Sequence, residues 1–102
     1  MIDLNELTDR LWANKTAKGF NTTDIEREFN FTYGELAEAY DSYRKNKGDI
    51  DEELADVMLF VLSLARMQGV DLEAALLKKM NKNEQREYIK VDGRNIRVKE
   101  AG

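Results

Sequence analysis

Apolar residues recur at intervals of three and four along most of the chain, the spacing of one face of an α-helix. The first such run predicts a helix over residues 2–18, and Gly19 is well placed to end it. In the second run, Thr23 and Glu26 form a capping-box signal for a helix that ends at about Lys45. Two long helices therefore occupy the first half of the chain.

The second half begins with two more helical runs. After a short turn, Asp49 with Glu52 repeats the capping signal for a third helix, which ends near Gly69. Asp71 can cap a fourth helix that runs to about Glu87. The pattern thus predicts an all-α core of four helices.

The C-terminal pattern is different. Two short β-prone runs, residues 88–91 and 95–98, flank the pair Asp92-Gly93, which favours a tight hairpin turn. We therefore predict a small exposed β-hairpin after the helices. Since the sequence contains no repeat or linker-like stretch, we predict a single domain with the helical core in residues 2–87 and the hairpin tail in 88–102.

Composition narrows the class of protein. Charged residues make up 35% and apolar residues 42%, which is typical of a globular chain. The longest strongly apolar run, residues 57–62, is too short to span a bilayer, and the N-terminus lacks a secretory pattern. We expect a soluble, cytoplasmic protein without a membrane partner. A net charge of -4 argues against binding a nucleic-acid polymer, which needs a surplus of Lys and Arg.

The missing residue types limit the chemistry. The chain has no cysteine and no histidine, so thiolate and histidine metal sites, Ser-His and Cys-His nucleophile pairs, and the Glu-x-x-His pattern of di-iron bundles are excluded. Acid-base chemistry is left to carboxylates, Lys, Tyr or water.

Two pairs of carboxylates stand out. Glu35 and Glu38 are three apart on the second helix, and Glu53 and Asp56 are three apart on the third, so each pair lies on one side of its helix. The short turn makes these helices antiparallel neighbours. The four side chains could then converge on one hard cation such as Mg²⁺, which prefers carboxylate oxygens and water.

Acidic residues on a helix are ordinarily solvated surface charges, and this is the alternative interpretation. The helical wheel opposes it, because Glu53 shares an arc with Phe60 and Glu35 lies next to an apolar stripe that includes Leu36 and Tyr43. Two carboxylates about 5 Å apart repel by roughly 3 kcal/mol at an effective dielectric near 20. The cluster therefore shares protons or holds metal, and metal is favoured because it uses every oxygen.

Other polar and aromatic positions are less specific. Lys79, Asn83 and Arg86 form one row on the fourth helix that could reach a phosphate, although such residues are more often surface charges. Trp12 fits a core position as well as a base-stacking platform.

The segment from Gly34 to Arg86 resembles the MazG-like nucleotide pyrophosphohydrolases, members of the all-α NTP pyrophosphatase superfamily. The family pattern is Glu-Glu-x-x-Glu followed, after a loop, by Glu-x-x-Asp. This chain has Gly34 where the family usually has its first Glu, then the acids already described. The resemblance implies a four-helix MazG-like bundle, to which the small hairpin is added.

The resemblance also implies roles for residues outside the carboxylates. Lys79, Asn83 and Arg86 match a downstream pattern that contacts the substrate's phosphates and sugar, and the upstream segment suggests that three further residues lie near the nucleotide: Trp12, Asn14 and Lys18. Such proteins form homodimers or homotetramers, which agrees with a third helix that is apolar nearly all round.

The resulting hypothesis is a Mg²⁺-dependent hydrolase, with Mn²⁺ as an alternative ion, that converts nucleoside triphosphate to monophosphate and pyrophosphate. Water would be the nucleophile, and Glu38 the carboxylate that orients it. Two alternatives remain: a phosphoribosyl-ATP or deoxyuridine-nucleotide pyrophosphohydrolase of the same fold, and a non-catalytic metal-binding helical oligomer or nucleotide sensor.

Overall fold

The computed structural model describes residues 1–99, so the last three residues of the predicted tail lie outside the described part of the chain. Four helices are followed by two paired strands: α1 Leu4–Lys18, α2 Ile25–Lys45, α3 Ile50–Met67, α4 Leu72–Gln85, β1 Glu87–Val91 and β2 Arg94–Lys99. The predicted all-α class, the four helices and the small hairpin are confirmed. Among the described residues, no helix is long and apolar enough to cross a membrane.

The first two helices begin at aspartate caps. Asp3 accepts hydrogen bonds from the backbone N–H groups of Asn5 and Glu6 at the start of α1, and Gly19 ends that helix with a φ of 70°. The predicted cap Thr23 is wrong by one residue. Asp24 is the N-cap of α2, because its carboxylate accepts the N–H of Arg27 at 3.0 Å.

The turn between α2 and α3 is fixed by Asp49, although not through the capping hydrogen bond that the sequence predicts. Asp49 is the N-cap residue of α3, as expected, but it makes no capping hydrogen bond. Its carboxylate instead accepts the hydroxyl hydrogen of the buried Ser42, near the end of α2. Asn46 ends α2 in the left-handed conformation, with a φ of 51°. The hydrogen bond between Ser42 and Asp49 holds the end of α2 against the start of α3.

The unit formed by Met1–Leu72 contains the core, in which α3 packs against both α1 and α2. The buried apolar residues are Ala39 on α2 and Leu62, Leu64 and Ala65 on α3. The inner side of α2 is unexpectedly polar, since Glu28 and Ser42 are buried there. The apolar stripe of α2 lies on the outside, where Leu36 is 56% exposed and Tyr43 is 74% exposed.

The second unit, Glu73–Gly102, has a different character. Within its described part, all but two residues (Glu73 and Arg86, both partly exposed) are exposed and none is buried, including every residue of both strands. Ile89 pairs with Ile96 across the hairpin, and the turn residues Asp92 and Gly93 both have positive φ, as a tight two-residue turn requires. The predicted exposed hairpin is confirmed.

Candidate metal centre and adjoining pocket

Three carboxylates converge between α2 and α3. One oxygen from each of Glu35, Glu38 and Glu53 lies within 4.8 Å of the other two. Glu35 and Glu38 project from one side of α2 because they are three residues apart, and Glu53 faces them from the first turn of α3. The link between Ser42 and Asp49 fixes the turn that brings the two helices into this position.

The charges in this cluster disturb one another. Burial raises the pKa of Glu35 above its ordinary value of 4.5, and the charges of Glu38, Asp56 and Glu53 raise it further. Burial also raises the pKa of Glu53, followed by the charges of Asp49, Glu38 and Asp56. The positive charge of Lys47 lowers the pKa of Glu53 but does not offset these effects, so negative charge is crowded in this cluster.

The residues fit a hard divalent cation. Oε2 of Glu53 is buried and has no hydrogen-bond partner among the described residues. An unpartnered buried carboxylate oxygen is costly, and it is unusual in a folded protein unless a ligand satisfies it. A donor set made only of carboxylate oxygens suits Mg²⁺ or Mn²⁺.

Asp56, the fourth predicted ligand, lies outside the group of three. Its side chain is exposed and lines a neighbouring pocket together with Glu35 and Glu38, and its charge raises the pKa of both Glu35 and Glu53. Asp56 therefore shares the electrostatic environment of the cluster. The four-ligand set remains a prediction.

The pocket that adjoins the carboxylates has a volume of about 780 Å³ and is formed by α1, α2, α3 and the turn after α1. Part of its wall is apolar, and the rings of Phe31 and Phe60 meet edge to face with centroids 6.4 Å apart. The other apolar lining residues are Leu11, Phe20 and Leu59. The pocket can therefore enclose a flat apolar group next to the carboxylates.

A buried polar network that sequence reasoning missed also lines this pocket. Nζ of Lys15 donates to Oε2 of Glu28 at 2.5 Å and to Oγ of Ser63 at 2.6 Å. The Ser63 hydroxyl donates in turn to the same Glu28 oxygen at 2.6 Å. Lys15 is 6% exposed, and Glu28 and Ser63 are each 1% exposed. The three side chains join α1, α2 and α3.

One signal in the sequence pointed to part of this network. Glu28 precedes Glu35 by seven residues, almost two helical turns, so the two side chains lie on the same side of α2. The helical wheel that predicts an inward Glu35 therefore predicts an inward Glu28 as well. The partner Lys15 could not be found in this way. Its position depends on how α1 is rotated against α2 and α3, which the spacing along one helix does not determine.

The upstream residues predicted to lie near a nucleotide are placed differently from one another. Asn14 is exposed and lines the pocket, whereas Trp12 and Lys18 are not among the described residues that line it. Trp12 is half-buried, and its ring lies 5.7 Å from Nζ of Lys15 and 5.6 Å from the guanidinium carbon of Arg66. The Trp12 ring therefore lies against two cations, and its role as a base-stacking platform stays a prediction.

The predicted phosphate-binding row belongs to the second unit. Lys79 and Asn83 are exposed on α4, and Arg86 follows the end of that helix. Nη1 of Arg86 donates to Oδ1 of Asn83 at 3.1 Å, so these two side chains do lie together. Their role toward a substrate stays a prediction.

Most of the chain matches the model of a known protein family. Residues 23–88, more than half of the chain, match the family model described as MazG nucleotide pyrophosphohydrolase domain. The matched range contains all four predicted metal ligands and the row on and after α4, but neither α1 nor β2. No curated protein and no solved structure gives a match.

Proposed function

Because the chain belongs to the MazG nucleotide pyrophosphohydrolase family, we propose that it hydrolyses nucleoside triphosphates to nucleoside monophosphates and pyrophosphate with Mg²⁺. The family consists of hydrolases that typically depend on a divalent metal. The observation that carries the proposal is the convergence of Glu35, Glu38 and Glu53, with a buried unpartnered oxygen on Glu53, at a pocket large enough for a nucleotide.

Glu35, Glu38 and Glu53 would hold the cation, with Asp56 as the fourth ligand and Mn²⁺ as an alternative ion. When bound, a divalent cation supplies charge neutralisation to the phosphates and lowers the pKa of water. This chemistry needs no nucleophilic side chain, which suits a chain without cysteine or histidine.

In this proposal Glu38 orients the attacking water. Glu38 is the exposed member of the cluster and also lines the pocket, so its carboxylate is accessible to water and substrate together. The water oxygen forms a bond to phosphorus, the bond between the α- and β-phosphates breaks, and pyrophosphate leaves. The proton released from water passes to a carboxylate acting as general base.

The substrate contacts outside the carboxylates are part of the same proposal. Lys79, Asn83 and Arg86 would bind the phosphates and the sugar, and Lys and Arg outnumber Asp and Glu over residues 73–99. Asn14 is supported by its place in the pocket lining. Trp12 and Lys18 are retained from the resemblance alone.

We also propose that the chain forms a homodimer or homotetramer. On α2, an apolar stripe at helical spacing is exposed: Tyr33, Leu36, Tyr40 and Tyr43. On α3, Leu54 and Met58 are exposed in the same way, with exposures of 50% and 48%. Exposed apolar stripes of this kind are typical of protein–protein interfaces, and a second copy of this chain would cover them.

The test of the enzymatic proposal is a panel of ribo- and deoxyribonucleoside triphosphates, with phosphoribosyl-ATP included, incubated with the purified protein and Mg²⁺. Monophosphate and pyrophosphate are followed by chromatography, with chelator in parallel. Metal-dependent formation of both products in equal amounts supports the proposal. If no substrate is cleaved while Mg²⁺ still stabilises the fold, the protein is a metal-binding module rather than a hydrolase.

A further inference from the structure

The pocket has two chemically different ends. The first contains the carboxylates Glu35 and Asp56. Glu28 precedes Glu35 by seven residues on α2, and Ser63 follows Asp56 by seven residues on α3, so both lie about 10 Å along their helices from the acids. The second end of the pocket is therefore built around the network of Lys15, Glu28 and Ser63.

The buried network at this second end is polar but electrically balanced. The positive charge of Lys15 is neutralised by Glu28 at 2.5 Å, and Ser63 is uncharged. The remaining polar lining on this side comprises the amides Asn14, Asn21 and Asn30 and the exposed Arg27, whose guanidinium carbon lies 5.3 Å from the centroid of the Phe31 ring. The buried donors and acceptors, which carry no net charge and lie beside aromatic rings, suit a neutral heterocycle better than a phosphate group, which prefers a surplus of positive charge.

Both carboxylate oxygens of Glu28 are engaged by its neighbours. Its Oε2 accepts from Lys15 and Ser63, and its Oε1 accepts from the amide of Asn21 at 3.3 Å. Since Glu28 is only 1% exposed, it cannot act on a ligand except through the groups that it holds.

Lys15 and Asn21 are held in defined orientations and retain hydrogen-bonding capacity. Two of the three N–H groups of Lys15 are used by Glu28 and Ser63. The amide of Asn21 is fixed by Asp24, which donates its N–H to Oδ1 at 3.1 Å and accepts from Nδ2 at 2.8 Å. Oδ1 can accept a second hydrogen bond. One donor and one acceptor therefore remain on two residues of the pocket wall.

We propose that this end of the pocket is the specificity site for the nucleobase, where Lys15 and Asn21 read the polar edge of the base and Glu28 is the positioning residue that orients both. The inference rests on the proposed function, in that the phosphates occupy the carboxylate end. It goes further by assigning base selectivity to a network that includes α1, outside the range matched by the family model.

The test compares Glu28→Gln with Glu26→Gln, which removes the same charge from an exposed position on the same helix. KM and kcat are measured for each nucleoside triphosphate, with inorganic tripolyphosphate as a probe that has no base. In parallel, α,β-methylene analogues, which cannot be cleaved between these phosphates, are titrated with Trp12 fluorescence as the signal, since Trp12 is the only tryptophan and lies beside Lys15.

The proposal predicts that Glu28→Gln raises KM for the preferred nucleotide by about tenfold, which corresponds to the loss of roughly one oriented hydrogen bond. It also predicts that the KM values for nucleotides with different bases become more alike. The substitution changes KM rather than kcat. Glu26→Gln leaves KM for the nucleotides unchanged, and Glu28→Gln leaves KM for tripolyphosphate unchanged. An equal rise in KM for every nucleotide and for tripolyphosphate, or a fall in kcat with base selectivity retained, overturns the proposal.

Two further measurements distinguish a failure of this inference from a variant that does not fold and from a failure of the proposed function. If Glu28→Gln does not fold, as judged by its melting transition, the double variant Lys15→Met/Glu28→Leu replaces the ion pair by apolar side chains, and the same loss of base selectivity is expected. If the wild-type chain cleaves nothing, the proposed function fails. The analogue titrations still decide this inference, because selective binding that Glu28→Gln abolishes supports it and binding without base selectivity overturns it.

Discussion

Lys15 and Glu28 form an ion pair of 2.5 Å although both side chains are almost completely buried, at 8% and 2% exposure. The pair joins α1 to α2, and Ser63 extends it to α3. Removing two charges from water is costly, so such a pair is tolerated only with close contact and additional hydrogen bonds, which Ser63 and Asn21 supply here. The network therefore places a strong constraint on how the first three helices assemble.

The first prediction concerns this constraint. Lys15→Met should lower the free energy of unfolding by about 3–5 kcal/mol, because it leaves the Glu28 carboxylate buried without its counter-charge. Lys18→Met is the matched control, since Lys18 is exposed on the same helix, and it should change stability by less than about 0.5 kcal/mol. Urea denaturation measures both variants. Equal effects of the two substitutions would show that Glu28 is not held by Lys15 in solution.

The second prediction uses Gly34, which replaces the first acid of the family pattern. A Cβ at this exposed helical position meets nothing within 4 Å, so Gly34→Ala should stabilise the protein by about 0.5–1 kcal/mol through helix propensity. Gly34→Glu should be less stable than Gly34→Ala without metal, because the new charge lies beside Glu35 and four residues from Glu38. Thermal melts with and without Mg²⁺ measure this difference, which should shrink when metal is added. A difference that does not respond to Mg²⁺ contradicts a metal site here.

The third prediction is a pH dependence of the metal-free protein. The pKa values of Glu35 and Glu53 are raised above 4.5 in the fold, so just above that pH the folded state binds more protons than the unfolded state. Stability should therefore increase as the pH falls through the raised pKa values toward 4.5, and this gain should disappear in Glu35→Gln/Glu53→Gln. Urea denaturation across this pH range measures it. A metal-free protein that only loses stability over this interval contradicts the crowded cluster.

A separate acid transition lies at lower pH and serves as an internal comparison. Hydrogen bonds from Lys47 and Lys45 lower the pKa of Asp41 to about 2. Asp41 therefore stabilises the fold above its ordinary pKa of 3.8, and this stabilisation is lost as the pH falls toward about 2. The carboxylate cluster has the opposite pH dependence. Asp41→Asn should remove this low-pH component and leave the dependence above pH 4.5 unaltered.

The fourth prediction tests the exposed stripe of α2. Leu36→Lys combined with Tyr40→Lys should shift the protein toward monomer, because two charges would have to be buried in the interface between copies. Tyr88→Lys, on the exposed β1 strand, is the control and should leave the assembly intact. Sedimentation velocity measures the species present. A wild-type chain that is monomeric at micromolar concentration rules out this interface.

Much of the fold could be predicted because its signals are local. The end of α1 at Gly19 and the turn at Asp92 and Gly93 depend on backbone conformations that few residues adopt readily. Helical spacing was also enough to bring Glu35 and Glu38 to one side of α2.

Other features depend on contacts between helices and were not accessible in this way. Helical spacing predicts that the apolar stripe with Leu36 and Tyr43 lies next to the inward side of α2. In the structure this stripe is exposed, and the buried side of α2 carries Glu28. Spacing shows that one side differs from another but does not show which side another helix covers. The ion pair with Lys15 joins residues thirteen positions apart, and its existence depends on the packing of α1.

The central claim is that the carboxylate cluster holds the metal used for hydrolysis, and paired substitutions in the first turn of α3 test it most directly. Glu53→Gln replaces the carboxylate of a half-buried member of the cluster by an amide. Glu52→Gln makes the same replacement at the exposed neighbouring position. Calorimetric Mg²⁺ binding and pyrophosphate release from the preferred nucleotide are measured for both. The account predicts that Glu53→Gln loses metal affinity and turnover by at least about a hundredfold, while Glu52→Gln retains both. Normal Mg²⁺ binding and turnover in Glu53→Gln would contradict it.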